Sequence, residues 1–310
     1  MGHYSKIAYI LMYKEITMRV SDLNIDRIYA NCMTRSAEYQ MAENHFHYYY
    51  ELYIVRKGTC RIFLNNTLFD LRSGDFLVIP PREVHFIRYL STCTRMNIYF
   101  TKEDLIFGGS PLPPGTEEKY LQNPAVIHMP SAYHSIIDPL LDGMLQEEKV
   151  DDPASTYKLL RLMLLQCFLL FDRYCTFAGE KAEADEKDTE IINAAHYITE
   201  HYNQPLTLDL LADLAGLSSS YFSRKFRLVT GMGMKEYLNY VRLKHASMEL
   251  LSTNHSITEV AMNSGFSDSN YFKDAFKKMY GLSPRAYRNS RSTDYILAEN
   301  LREWNEAHNA

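Results

Sequence analysis

Thr207 to Gly231 reads TLDLLADLAGLSSSYFSRKFRLVTG, and Ser256 to Gly281 reads SITEVAMNSGFSDSNYFKDAFKKMYG. The second stretch repeats the first. Ala212 matches Ala261, Gly216 matches Gly265 and Leu217 matches Phe266 at an offset of 49. One inserted turn residue moves the offset to 50, which aligns Tyr221 and Phe222 with Tyr271 and Phe272, Phe226 with Phe276, and Gly231 with Gly281. In each copy an apolar helical pattern carrying an Ala at a close-contact position runs into a Gly suited to end it, and Ser218 or Ser267 is a suitable N-cap for the second helix. This is the grammar of a helix-turn-helix, written twice.

In the second helix of each copy, Phe222 and Phe226, or Phe272 and Phe276, lie four residues apart and so share one buried face. The remaining face carries Ser219, Ser220, Ser223, Arg224 and Arg227 in the first copy, and Ser269, Asn270, Lys273, Asp274 and Lys277 in the second. Hydroxyl, amide and cationic groups are the ones that bond base edges and phosphates in a DNA major groove. An ordinary solvated helix face has the same texture, but two copies at matched positions favour a reading surface. Between them, Met234 to Leu251 is a helical pattern without Gly or Pro. At about 1.5 Å per residue it spans about 27 Å, so with its flanking turns it can hold two recognition helices about one duplex turn, 34 Å, apart.

Charge is divided in the same way. The chain of 310 residues has a formal net charge of −5, yet Gly216 to Arg291 holds 12 Lys or Arg against 5 Asp or Glu, which is +7 and leaves −12 elsewhere. A chain of this length is expected to form two domains. The five cysteines are odd in number and form no CxxC pair, which fits a reducing cytoplasm and points away from a disulfide framework or a zinc finger. Neither the N-terminal apolar run nor Leu159 to Phe171 is long enough, read as an apolar run, to span a membrane.

From about Asp22 to Phe100 the texture is that of strands, punctuated by Lys57-Gly58, Asn65-Asn66, Ser73-Gly74-Asp75 and Pro80-Pro81 at the spacing of an all-β barrel or sandwich. Arg61 to Leu71 reads as a hairpin around Asn-Asn. A Gly/Pro-rich loop, Phe107 to Gly115, closes this region. Helices are expected over Ala132 to Leu145 and Thr156 to Cys175, the second apolar on nearly every side, so that one face can lie on the barrel and the other on a second subunit, an intramolecular core helix being the alternative. The charged run Gly179 to Asp188 reads as a linker. The tail beyond Asn289 shows one apolar helical face of Ile296, Leu297, Leu301 and Trp304.

From Gly265 to Arg288 the sequence GFSDSNYFKDAFKKMYGLSPRAYR resembles the signature of the AraC/XylS family of bacterial transcription regulators, and the resemblance extends over Thr207 to Arg288. It implies base-reading roles at Ser219, Ser220, Ser223, Arg224, Ser269, Asn270, Lys273 and Asp274. Asp274 departs from the basic or polar residue usual in relatives. An acid there can accept from cytosine N4 or repel a phosphate.

His45 to Gly58, HFHYYYELYIVRKG, has the spacing H-x-H-x3-E-x6-G, and Gly74 to His85, GDFLVIPPREVH, has G-x5-P-x4-H. Even steps place His45, His47 and Glu51 on one side of a strand, facing the barrel interior. Both motifs resemble those of the cupin barrel, the usual sensory domain of arabinose-type regulators. Tyr39, Arg82 and Tyr89 replace the cupin Gly, Gly and Asn. His45, His47, Glu51 and His85 occupy the four metal-ligand positions of enzyme cupins and are read here as a polar effector pocket. A bound Fe, Mn or Ni ion and a purely structural cluster are the alternatives.

The expectation is a two-domain α+β protein. Residues 1–178 form a cupin-like β-barrel with a helical hairpin, residues 179–188 a linker, residues 189–290 an all-α domain with two helix-turn-helix motifs joined by a linker helix, and residues 291–310 an extension. Its function would be that of a cytoplasmic, ligand-responsive, sequence-specific DNA-binding regulator, an activator of metabolic genes, with carbohydrate genes as one candidate class. It would be a homodimer partnered by double-stranded DNA, a small-molecule effector and RNA polymerase, with no cofactor, no membrane and no catalytic residues. The rival class is a metal-dependent cupin enzyme with a helical appendage.

Overall fold

Among the described residues seven strands follow one another between Tyr29 and Phe100: β1 (Tyr29–Arg35), β2 (Tyr50–Lys57), β3 (Thr59–Leu64), β4 (Thr67–Arg72), β5 (Asp75–Ile79), β6 (His85–Tyr89) and β7 (Cys93–Phe100). The four breaks from β2 to β6 fall at the turn signals. Asn65 and Asn66 take positive φ, 50° and 60°, as a tight hairpin turn between β3 and β4 requires. Gly58 has φ +83°, and a Cβ there would stand 2.2 Å from the Thr92 carbonyl oxygen, so the residue is fixed by conformation and by contact alike. The expected loop at residues 107–115 contains a small hairpin, β8 (Ile106–Phe107) with β9 (Ser110–Pro111).

The computed structural model describes residues 28–39, 47, 49–177 and 188–289. These fall into two units, residues 28–177 and 188–289, each taken by itself below. The strand texture expected from Asp22 to Asp26, the linker residues 179–187, His45 and the tail 291–310 lie outside the described residues.

In the first unit a six-stranded sheet has the order β1-β7-β2-β5-β10-β11, where β10 is Ile127–His128 and β11 is Thr176–Phe177, and a three-stranded sheet has the order β4-β3-β6. The pairings within both are antiparallel. Alternation divides β7 between two cores. Met96, Ile98 and Phe100 join Leu52, Ile54, Phe76 and Val78 in an outer layer. Cys93 joins Tyr53, Val55, Leu77 and Ile79, which meet Cys60, Ile62, Phe69 and Ile87 of the other sheet in an inner one. The two sheets are thus the walls of a barrel.

Two helices cover the outer layer: α1 (His134–Glu147) and α2 (Pro153–Tyr174). Pro153 stands in the first turn of α2, where its missing N–H costs nothing, and the Asp152 carboxylate caps the Ser155 N–H. Phe171 stacks on Phe76 with centroids 4.1 Å apart, and Phe168 meets Phe100 edge-on at 5.7 Å. Arg161 donates to the carbonyls of Glu103, Asp104 and Ile106, and the Tyr157 hydroxyl donates to Asp104 at 2.8 Å. The helix runs past the apolar stretch at both ends, and at 22 residues it is long and apolar enough to cross a membrane by length and composition. Here Leu160, Leu164, Cys167, Phe168 and Phe171 are buried in the outer core, as in a core helix of a folded domain.

The second unit is helical among its described residues: α3 (Thr189–Glu200), α4 (Leu208–Leu214), α5 (Ser219–Thr230), α6 (Met234–Ser252), α7 (Ile257–Asn263), α8 (Ser269–Tyr280) and α9 (Pro284–Asn289). Local chemistry sets the ends. Thr207 caps α4, Ser218 caps α5, and a Ser256–Glu259 capping box opens α7. The cap of α8 is Asp268 and not Ser267: its carboxylate accepts from the Asn270 N–H at 2.7 Å and the Tyr271 N–H at 3.4 Å. The residue inserted in the second turn shifts the cap by one, and a carboxylate at a helix N-terminus also gains from the helix dipole. Gly231 and Gly281, at φ +75° and +73°, end α5 and α8 in the left-handed conformation.

Phe222, Phe226, Phe272 and Phe276 are fully buried. Phe276→Ala should cost about 3–5 kcal/mol, whereas Tyr221→Ala, at a ring 46% exposed, should stay within about 0.5 kcal/mol. Urea denaturation of the full chain followed by far-UV circular dichroism checks both.

Candidate effector site and DNA-reading surface

Glu51 is fully buried near the start of β2 and hydrogen-bonds His47 Nε2 at 2.8 Å, while His85 Nε2 lies 3.4 Å from the same Oε2. His47 does not reach it along a straight strand. Residues four apart in an extended strand are separated by about 13 Å, and β2 begins only at Tyr50. The chain bends at Tyr49, the His47 ring stacks on the Tyr49 ring at 4.7 Å, and its Nδ1 faces the Tyr49 carbonyl at 2.7 Å. His85 opens β6 and turns its own Nδ1 to the Glu83 carbonyl at 3.1 Å.

These bonds settle what the inner nitrogens can do. With Nδ1 donating to a carbonyl, a neutral imidazole presents a lone pair at Nε2. A lone pair 2.8 Å from a carboxylate oxygen is repulsive unless a proton or a cation lies between them. As hydrogen-bonded here, a single proton lies between His47 Nε2 and the Glu51 carboxylate. Burial by itself would raise the Glu51 carboxyl, but the hydrogen bond from His47 and the adjacent His85 imidazole outweigh it and hold the group well below the usual carboxylate range. The same three side chains bring their donor atoms within 4.8 Å of one another. Two imidazoles with Nδ1 anchored on carbonyls, plus one carboxylate, fit a divalent first-row ion in ligand type and in outer-shell support.

Several residues around this cluster have no signal in the motifs. Tyr99 pairs with Glu51 across β2 and β7, and its ring meets those of Tyr49 at 5.2 Å and His47 at 5.8 Å and stacks on Tyr29 at 6.0 Å. Asn97 donates to the Tyr99 hydroxyl at 2.9 Å, and the buried Arg95 donates to Asn31 at 2.9 Å. Burial raises the phenols of Tyr49 and Tyr99, so both remain protonated at neutral pH. Arg95, Asn97 and Tyr99 alternate along β7 with Met96 and Ile98 of the outer core, a period visible in the sequence once β7 is known to lie beside β2.

In the second unit the polar faces of α5 and α8 are outside. Ser220, Ser223, Arg224 and Arg227 on α5, and Asn270, Lys273, Asp274 and Lys277 on α8, are exposed, while Ser219 and Ser269 are half-buried. Ser219 donates to Asp209 of α4 at 2.5 Å, which ties the first turn of α5 to the preceding helix. Arg227 lies 2.9 Å from Glu236 in an exposed ion pair, a weak contact in water that a phosphate can replace. Tyr221 and Tyr271, at matched positions, are also exposed, and the Tyr271 hydroxyl accepts from Asn239 of α6 at 2.9 Å.

Two family profiles match: an AraC-like ligand binding domain over residues 33–163 and a helix-turn-helix domain over residues 211–290. The chain belongs to the AraC/XylS family of transcription regulators. As such it is a ligand-responsive, DNA-binding regulator, with the β-rich unit as the ligand-binding part and the helical unit as the DNA-binding part. The chain is 24% identical over 255 residues to the HTH-type transcriptional activator RhaS of Salmonella typhi and of Salmonella typhimurium, covering 80% of this chain and 87% of RhaS. Among solved structures, the C-terminal domain of the response regulator AraT from Geobacillus stearothermophilus is 36% identical, covering 33% of this chain and 85% of that one at a TM-score of 0.32. A ToxT structure from Vibrio cholerae is 12% identical, covering 86% and 98% at a TM-score of 0.36.

A depressed carboxylate stabilises the fold above its ordinary pKa, and that stability is lost as pH falls through the folded value. The melting temperature should therefore drop with acidification below the ordinary carboxylate range. Glu51→Gln should remove part of that dependence while costing roughly 3–5 kcal/mol at neutral pH by stranding His47. Melting curves from pH 7 to pH 3 compare the two.

Proposed function

We propose that the protein is a homodimeric activator of metabolic genes that takes a small hydroxylated effector, such as a sugar, between His47, Glu51 and His85, with His45 completing the set. The observation that carries the DNA-reading half is that each helix-turn-helix buries its own pair of phenylalanines and leaves an array of hydroxyl, amide and cationic groups in solvent. Ser219, Ser220, Ser223, Arg224, Ser269, Asn270, Lys273 and Asp274 face the bases, Ser219 being also tied to Asp209, and Arg227 and Lys277 hold phosphates. RhaS carries the word activator in its name, and an activating role for this chain entails contact with polymerase.

The effector reading rests on a buried cluster rich in both donors and acceptors, beside the half-buried rings of Tyr29 and Tyr99, which suit stacking on a sugar. One observation favours a second occupant. Because Nδ1 of both histidines is anchored on a carbonyl, the inner nitrogens are oriented as they would be around a divalent ion. We take the cluster to serve recognition, not turnover, in either case. Metal content of the purified protein after dialysis against Fe, Mn or Ni separates the two occupants.

Dimer formation is assigned to α2. Leu159, Leu162 and Leu169 are 42%, 56% and 44% exposed and lie three and seven residues apart, a stripe opposite the face buried on the sheet. Leu162→Glu should convert dimer to monomer in analytical ultracentrifugation without changing the far-UV spectrum.

The function is tested by mobility shift on DNA selected from a random pool. Arg224→Ala should lose about 1–3 kcal/mol and relax base preference within one half-site; an equal loss on every sequence would make Arg224 a phosphate contact. His47→Ala should bind the same DNA but no longer respond to effector. Absence of salt-dependent affinity in the unaltered protein would overturn the reading.

A further inference from the structure

The turn glycines Gly216 and Gly265 hold matched places in the duplicated motif, but their surroundings differ. Both have positive φ, +66° and +85°. Around Gly216 an added Cβ would meet nothing within 4 Å. At Gly265 it would stand 2.8 Å from Asn203 Cα, 2.9 Å from the Tyr202 carbonyl oxygen and 2.9 Å from Arg242 Nε. Conformation alone accounts for the first glycine. The second is also needed because another part of the backbone passes against it.

That other part is the loop between α3 and α4, ahead of the first helix-turn-helix. Arg242, near the middle of α6, binds it with two hydrogen bonds: Nε donates to the Tyr202 carbonyl at 2.8 Å and Nη2 to the Gln204 carbonyl at 2.9 Å. Its guanidinium lies 5.9 Å from the centroid of Phe266, the residue after Gly265. One turn along α6, the His245 ring stacks on Tyr202 at 3.9 Å and 9°. A planar fork with fixed donors can bridge two carbonyls and lie beside a ring at once, which a lysine ammonium cannot do.

We propose that this seam, with Arg242 as its positioning residue and Gly265 as its contact point, sets the distance and phase between the two reading helices and so the half-site spacing that the protein accepts. It rests on the reading of α5 and α8 as the DNA-contacting helices. A single helix such as α6 leaves its ends free to bend and twist. The seam closes a loop that runs from the first half, through Arg242, to the turn that starts α8, so the second reading head is held at two places instead of one.

The test uses the full chain and an operator selected from a random DNA pool, remade as a series with one or two base pairs inserted or deleted between half-sites. Each inserted pair moves one half-site by about 3.4 Å and about 34° relative to the other. The unaltered protein should lose about tenfold or more in affinity per single step, whereas Arg242→Met, which keeps the stem over Phe266 and removes both bonds, should lose less than about threefold. Affinity for an isolated half-site should be equal in both proteins. Arg242→Lys serves as the second variant if the Met form does not fold, and should also broaden the accepted spacings. An unchanged spacing penalty in a folded variant, or an equal loss on isolated half-sites and every spacing, would overturn the proposal. Failure of the unaltered protein to bind any DNA would overturn the reading of the helices, and the seam's role with it.

Discussion

The burial of two phenylalanine pairs governs the DNA-binding unit. Phe222 and Phe226 lie with centroids 5.4 Å apart, Phe272 and Phe276 with centroids 5.6 Å apart, and all four are sealed from water. At about 1.5–3 kcal/mol for each buried ring, no rotation of α5 or α8 that exposes a pair can compete with the observed one. Once these pairs fix the rotation, the other side of each helix must face solvent, and the residues standing there become the surface available to a duplex. Tyr237 and Tyr287 extend the same cores, meeting Phe226 at 5.7 Å and Phe276 at 5.2 Å. The polar faces are therefore a consequence of packing, and their chemistry is free to specialise.

The sensor unit is organised by the opposite kind of residue. A fully buried carboxylate is costly unless its lone pairs are met, and Glu51 is met by two imidazoles whose outer nitrogens are themselves anchored on carbonyls. Replacing a buried ionic cluster by apolar side chains of the same volume is often neutral or stabilising. A protein that retains such a cluster inside a barrel, beside Ile62, Leu64, Leu77 and Ile79, holds groups that can exchange partners. That capacity is what a ligand-binding domain needs, since an effector can shift a protein only by interacting differently with its alternative states.

What could be read in the sequence was what depends on near neighbours. The Asn65-Asn66 turn, the glycines that end helices, the phenylalanine pairs and the duplication are matters of a few residues of chain, and each stands where its spacing puts it. The site was only half legible. Glu51, His47 and His85 announce themselves by residue type, but the bend at Tyr49 that brings His47 to the carboxylate does not. Tyr99, Asn97 and Arg95 enter the barrel because β7 lies between β1 and β2, a long-range pairing that no local pattern encodes. The shift of the α8 cap from Ser267 to Asp268 is a smaller case: both residues can cap, and the inserted residue decides between them.

The duplication also shows how far matched sequence can part in structure. Ser219 and Ser269 hold the same place, yet Ser219 is bound to Asp209 on the helix before it, and the position matching Asp209 is Thr258, a residue without the charge to hold a hydroxyl so firmly. Arg227 and Lys277 are likewise equivalent, but Arg227 faces Glu236, the residue that also caps α6 by accepting from the Gly233 N–H at 2.7 Å. A phosphate that draws Arg227 away leaves Glu236 its capping role, so the helix end does not depend on the ion pair. The helix α5 is thus braced by side chains on its own neighbours, and α8 by the Asn239–Tyr271 bond and by backbone packed against Gly265. Two helices that share a fold but not a mounting need not respond alike to strain.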